Sequence, residues 1–221
     1  MSDASWGQLA AGGAGALPGV ILAGGRAQRM GGGDKGRLPI AGVPLIERVI
    51  GRLRPQVGPM ALNANGDAAR FEDLGLPVLP DSIAEHPGPL AGVLAGLDWA
   101  AGLGAEQIVT AAADTPFYPC DLVARLAETA QVTGAPIVLA ATPDPKRGQV
   151  RHPTFGLWPV RLRDDLREAL SGGMRKVVIW TEKHGGAEAL FETAGEVDPF
   201  FNVNTPADLK QADVLAREVA A

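Results

Sequence analysis

The connection that follows the apolar run Val20-Ile21-Leu22 carries five glycines, Arg26, Arg29 and, at its far end, Lys35. Glycine lets main-chain amides come close to a ligand, and guanidinium and ammonium groups neutralise anionic oxygens. A strand that empties into such a loop is the usual phosphate cradle of α/β proteins. The spacing Gly24-Gly25-x-x-x-Arg29-Met30-Gly31-x-x-Asp34-Lys35 is not the Gly-x-Gly-x-x-Gly dinucleotide fingerprint. Nor is it a P-loop, because Lys35 is preceded by Asp34 and followed by Gly36. A nicotinamide dehydrogenase is thereby disfavoured, and the loop reads as a phosphate cradle of another kind.

Other polar residues stand where strands end. Asp114 closes the apolar stretch Gln107–Ala113 and precedes Thr115-Pro116, which halts the strand and holds the carboxylate outward. A lone carboxylate there suits magnesium, which takes one or two protein oxygens beside phosphate oxygens and water. The same position also suits the N-cap of a following helix. Asn63 and Asp81 end two more short apolar runs, and Asn63 reads equally well as a turn residue. Asn202 and Asn204 flank Val203 ahead of the last helix, where asparagine before Thr-Pro is also ordinary turn chemistry. His86, His152 and His184 lack metal-ligand spacing, and His152 is expected to make a structural hydrogen bond. No serine or cysteine sits beside a base as a nucleophile. Cys120 is expected to be a small packed residue, and Trp158 and Trp180 to belong to the core.

Helices and strands must alternate to position these groups. Strands are expected at 20–23, 60–64, 78–79, 107–113, 136–141, near 154–158 and near 188–192. Helices are expected at 45–53 behind Pro44, at 68–74, 90–101, 122–129, near 160–170 and 174–182, and from Thr205 as N-cap to about Val219. Strands that are apolar throughout imply a mostly parallel, Rossmann-like sheet covered on both faces, a single three-layer α/β/α domain over residues 18–221 behind a flexible leader at 1–17. In such sheets ligands bind beyond the carboxyl ends of the strands, where the polar residues above collect. The chain has 221 residues, 46% of them hydrophobic, so a substantial core can form. A net charge of −5 argues against a general nucleic-acid or anionic-membrane binder. One cysteine, no signal-like start and no long apolar run fit a cytoplasmic protein without disulfide or zinc cluster.

The loop, followed by Asn63-Ala64-Asn65, Asp81-Ser82, Pro87-Gly88-Pro89-Leu90-Ala91-Gly92, Asp114-Thr115-Pro116, His152-Pro153-Thr154 and Phe201-Asn202-Val203-Asn204-Thr205-Pro206, resembles the nucleotidyltransferases that activate sugars and cofactors. Within them this ordered set is similar to the molybdenum cofactor guanylyltransferase (MobA) family, over about residues 18–215. The resemblance implies a nucleotide-diphospho-sugar transferase-like fold and transfer of GMP from GTP to molybdenum-loaded molybdopterin, with release of pyrophosphate. It implies that Leu22, Ala23, Gly24, Gly25, Lys35, Asn63, Asp81 and Asp114 contact GTP, with Arg29, Lys35 and Asp114 catalytic. Asp114 would bind Mg²⁺, with Asn204 as a second candidate ligand, and Pro89, Asn202 and Asn204 would border the acceptor. Guanine's N1–H and 2-amino donors suit the oxygens of Asn63 and Asp81. Further partners it implies are cofactor-biosynthesis proteins and apo-molybdoenzymes. A related cytidylyltransferase, a sugar-phosphate nucleotidyltransferase and a non-catalytic molybdopterin carrier remain as alternatives.

Overall fold

The chain lays down strand β1 (Gly19–Leu22), a ribbon of β2 (Pro39–Ile40) and β3 (Val43–Pro44), helix α1 (Leu45–Leu53), then β4 (Met60–Asn63) and β5 (Val78–Leu79). Helix α2 (Pro89–Gly102), β6 (Gln107–Ala112), α3 (Leu122–Thr133), β7 (Val138–Asp144) and β8 (Gly148–Pro159) follow. Helices α4 (Arg163–Ser171) and α5 (Val177–Lys183), β9 (Ala187–Leu190) and α6 (Pro206–Glu218) complete it. This is a computed structural model, and it describes residues 17–24, 35–83, 88–192 and 198–218. Nearly all of the expected leader, together with Gly25, Arg29 and Asp34 of the cradle, His86 and Pro87, lies outside the described residues. Leu17 and Pro18 already join the fold, through Gly58 N–H to Leu17 O at 2.9 Å and Val109 N–H to Pro18 O at 2.9 Å.

Successive strand residues point to opposite faces, and that alternation sorts the core into two layers. Ile21, Leu62, Val109, Val138 and Leu157 face α1 and α3, while Val20, Ile108, Leu139 and Trp158 face α2, α4 and α5. The sheet order is β5-β4-β1-β6-β8-β7-β9. Its members are parallel except for β8, which runs antiparallel to β6 and β7. The three-layer, mostly parallel architecture is as expected. Helix α2 is buried along Leu90–Leu97, as a crossover helix between a sheet and other helices should be.

The β2–β3 ribbon, β8 and Cys120 depart from the sequence expectation. β8 runs twelve residues from Gly148 and not from 154, because Asp144 and Gly148 turn β7 directly back on itself. Asp144 Oδ1 accepts the N–H groups of Lys146 (2.9 Å) and Arg147 (2.7 Å), and Gly148 supplies a φ of +77°. Cys120 is exposed, not packed; it stands in the turn ahead of α3, with Arg52 Nη1 at 3.2 Å from its sulfur. Trp158 and Trp180 are fully buried, as expected.

From β1 the chain steps outward to β4 and β5, then crosses back through α2 to β6 on the other side of β1. The reversal makes the crevice between the ends of β1 and β6 the topological switch point of the sheet.

Candidate active site

The pairing register sets the strand ends level: Leu22 lies opposite both Asn63 and Ala112, and Asn63 opposite Leu79. With neighbouring strands about 4.8 Å apart, the ends of β5 and β6 stand roughly 14 Å from each other across that rim. One polar cluster sits at each end of this span.

At β4 and β5 the groups are clamped. Asn63, 3% exposed, donates its amide to Leu79 O (3.1 Å) and to Asp81 Oδ1 (2.9 Å). Asn65 gives its amide to the other oxygen of Asp81 (2.7 Å) and takes Asp81's own N–H on Oδ1 (2.9 Å). The carboxylate is thus held at both oxygens by neutral donors, and with about four lone-pair sites it has room to accept further hydrogen bonds. The helix α2 closes against this cluster: a Cβ on Gly92 would stand 2.2 Å from Asn63 Oδ1 and 2.9 Å from Leu22 Cδ2. Only glycine allows that approach.

At β6 the groups come from three distant segments. Lys35 Nζ lies 2.7 Å from Asp114 Oδ2 and 2.5 Å from Asn204 Oδ1. Thr115 Oγ1, fully buried, sits between Asp114 Oδ1 (3.2 Å) and Asn202 Oδ1 (2.5 Å). The segment carrying the two asparagines is stitched to the strand end by Val203 N–H to Asp114 O, 2.9 Å. It then enters α6 through a reciprocal cap: Asp208 N–H donates to Thr205 Oγ1 (3.2 Å), while Asp208 Oδ2 accepts the N–H groups of Asn204 and Thr205 (2.8 Å each). The Asn204 N–H, with lesser help from Thr205 and Lys35, holds the Asp208 carboxyl below its ordinary value. On the other side, Tyr118 Oη donates to Val49 O (2.8 Å) and Arg52 donates to Tyr118 O (3.0 Å), which ties the loop after Asp114 to α1.

Lys35 is delivered by a short 3₁₀ turn, Lys35–Arg37, that leads into the β2–β3 ribbon. Ala41 (φ +45°) and Gly42 (φ +77°) make the ribbon's turn, and α6 grips it through Asp213 Oδ1 to Ala41 N–H, 2.6 Å. Two residues past Lys35, Arg37 reaches the opposite way. It donates to Asp73 Oδ2 (2.7 Å) and to Arg70 O (2.5 Å) and lies over the ring of Phe71. Arg70 in turn donates to Asn65 O (2.5 Å). A continuous chain of contacts therefore links the ammonium at β6 to the carboxylate clamp at β4 and β5.

Beyond Asn202 lies a recess of about 330 Å³, walled by Val150–Phe155, Asp198 and Phe200–Asn202. It exists because β8 bulges: Gly156 pairs with Leu139 but the next residue along β7, Ala140, pairs with His152, so Pro153, Thr154 and Phe155 leave the ladder. His152 bonds Thr142 Oγ1 at 2.9 Å and stacks on Phe200 at 4.2 Å, the structural role expected of it. Burial pushes its imidazole below the ordinary value, against the opposing charge of Asp198.

The structure thus brings Lys35, Asp114, Asn202 and Asn204 together, and separately Asn63 and Asp81, with Leu22, Ala23 and Gly24 on the rim between. Asp114 caps no helix. Pro89 opens α2, the helix whose Gly92 packs against Asn63 and Leu22. Sequence alone assigns no side-chain contact to Asn65, Thr115, Asp208 or Arg37. The Asn-x-Asn repeat and the Thr-x-x-Asp box were available clues to two of them, while nothing local marks Arg37.

Among the described residues no group of three or more His, Cys, Asp or Glu side chains could hold a metal. Mg²⁺ needs no such group: its sites take only one or two carboxylates and draw further oxygens from phosphate and water. Asp114 and Asn204 converge on one cation with oxygen ligands only, the donor chemistry that a hard cation requires.

Fold and site define a nucleotidyltransferase. The structure is similar to that of molybdopterin-guanine dinucleotide biosynthesis protein A from Archaeoglobus fulgidus, with a TM-score of 0.70 and 23% identity over 91% of this chain and 100% of that one. The fold is shared also with 2-C-methyl-D-erythritol 4-phosphate cytidylyltransferase from Thermus thermophilus, at a TM-score of 0.68 and 20% identity over 90% and 98%. Residues 19–185 match the MobA-like NTP transferase domain, and the chain belongs to that family. It is 50% identical to the molybdenum cofactor guanylyltransferase of Bradyrhizobium sp. over 91% of this chain and 93% of that protein. Identity to the enzyme of the same name from Mesorhizobium japonicum is 46%, over 93% and 98%.

Proposed function

We propose that this protein transfers GMP from GTP to the terminal phosphate of molybdenum-loaded molybdopterin and releases pyrophosphate. The observation that carries this reading is the ammonium of Lys35 held between Asp114 and Asn204 at the switch point, with a carboxylate clamp one nucleotide's reach away. Relatives about half identical along nearly the whole chain are named guanylyltransferases, which favours guanine over cytosine.

The nucleotide would lie along the rim. Asp81, fixed by Asn63 and Asn65, would accept the N1–H and 2-amino donors of guanine, an edge that adenine and cytosine do not present. The triphosphate would extend past Leu22–Gly24 to Lys35. The acceptor's phosphate oxygen is already an anion, so no general base is required. What the protein must supply is charge, because a phosphomonoester approaches a triphosphate and negative charge then grows on the departing pyrophosphate. Lys35 meets that charge directly, Arg29 and the amides at Gly24 and Gly25 would add to it, and the clamp geometry holds the partners in line. Mg²⁺, held at Asp114 and Asn204, would neutralise phosphate oxygens and orient them. The acceptor would enter from the recess beyond Asn202. No described helix is long and apolar enough to cross a membrane, and we place the reaction in the cytoplasm.

The test is incubation with molybdenum-loaded molybdopterin, GTP and magnesium, followed by mass analysis. The expected product is the guanine dinucleotide with one pyrophosphate per turnover. Equal use of CTP, or tight binding of the pterin without turnover, would replace this reading by a cytidylyltransferase or a carrier.

A further inference from the structure

The recess beside Asn202 has a composition at odds with a phosphate site. Arg151 on its wall is already engaged, to Glu188 at 2.6 Å and Glu182 at 2.8 Å, and Asp198 adds a negative charge. What the recess offers is the half-buried ring of His152, backed by the buried Phe200 on which it stacks, and one carboxylate. Asp198 Oδ1 accepts the Phe200 N–H at 2.8 Å, and among the described residues Oδ2 has no hydrogen-bond partner. A planar heterocycle with paired N–H donors on one edge satisfies both features, since a carboxylate accepts such a pair side by side.

We infer that Asp198 selects the pterin of the acceptor by accepting the N3–H and 2-amino donors of its 2-amino-4-oxopyrimidine edge. The assignment rests on the acceptor reading above. It carries a chemical symmetry, for guanine and pterin present the same pair of donors, and the protein meets each with a carboxylate at opposite ends of one site. Asp81 is steadied by two side-chain amides, Asp198 by a backbone N–H. The ladder break at Pro153 makes room for the ring, and Asn202, hydrogen-bonded to Thr115 beside Asp114, marks the way from the ring to the transferring phosphate.

The decisive variant is Asp198→Asn, which keeps Oδ1 for Phe200 but turns the other oxygen into a donor that faces donors. In steady-state assays its KM for molybdenum-loaded molybdopterin should rise tenfold or more, with KM for GTP and thermal midpoint unchanged. In direct titrations wild-type protein should bind free pterin at least tenfold more tightly than lumazine, whose 2-oxo group replaces the 2-amino donor. Asp198→Asn should abolish that preference. An acceptor KM within twofold of wild type, or a parallel loss of GTP affinity and stability, would overturn the role of Asp198 alone. A wild-type enzyme with no turnover on this acceptor would overturn the acceptor reading and this assignment together.

Discussion

The two ends of the rim are built on opposite plans. The cluster at β4 and β5 is local and redundant: Asp81 meets partners 16 and 18 residues away, and each of its oxygens is held. The cluster at β6 is long-range and sparse: Lys35 meets Asp114 across 79 residues and Asn204 across 169, and its charge is the one cation held there among the described residues. The difference suits two tasks. A base must be recognised against a fixed template, whereas a transferring phosphoryl group needs charge that can pass from the protein's own carboxylate to the incoming oxygens. In the state described the partners of Lys35 are Asp114 and Asn204, and the proposed triphosphate would compete with them for the ammonium.

Substitutions that separate the ends test this contrast. Asp114→Ala should lower kcat by about a hundredfold or more and abolish dependence on magnesium, because it removes both the partner of Lys35 and the proposed metal ligand. Retention of activity and of the magnesium requirement in a pyrophosphate-release assay would refute that role. Lys35→Ala should cost roughly tenfold or more in turnover, about 1.4 kcal/mol of transition-state stabilisation, while the preference for GTP over ATP stays intact. A changed preference would mean that the ends are not separable.

Gly92→Ala acts at the other end by forcing the Asn63 amide aside. Overpacking of this kind costs about 1–3 kcal/mol, read as a lower denaturation midpoint, and here it should weaken GTP binding without affecting the response to magnesium. Asn65→Ala, which frees one oxygen of Asp81, should reduce GTP-over-ATP discrimination in calorimetry several-fold, less than Asp81→Ala does, with kcat nearly unchanged. Equal effects of the two would make Asn65 itself the reader of the base.

The smallest effect concerns pH. The folded value of His152 is depressed by burial, so the neutral ring's contribution to stability is complete above about pH 6.5. It is lost progressively as the pH falls from there through the lower folded value. His152→Asn should flatten that part of the melting-temperature profile while leaving base discrimination untouched.

What could be read from sequence follows the same divide. Strands β1, β4 and β6 and helix α1 announce themselves by apolar runs and helical spacing, and Asn63, Asp81 and Asp114 are visible because each ends such a run. The β2–β3 ribbon has two-residue strands, too short for any periodicity, yet it is what delivers Lys35. The antiparallel course of β8 was hidden because its first half, Gln149–Thr154, is polar and only partly buried. No local pattern could join Lys35 to Asn204; only a resemblance spanning the whole chain placed them in one site. Arg37 was missed for a related reason: its partners, Asp73 and the Arg70 carbonyl, lie in a different segment and form no motif with it.

The separation between Lys35 and Asn204 has a consequence for the protein while it is being made. Domains tend to form from their amino-terminal side during synthesis. The clamp on Asp81 draws only on residues up to Gly92, whereas Lys35 gains its amide partner, and the ribbon its anchor at Asp213, only after most of the chain has left the ribosome. A nascent chain can therefore shape the clamp proposed to read the base well before it completes the Lys35 cluster proposed to meet the triphosphate.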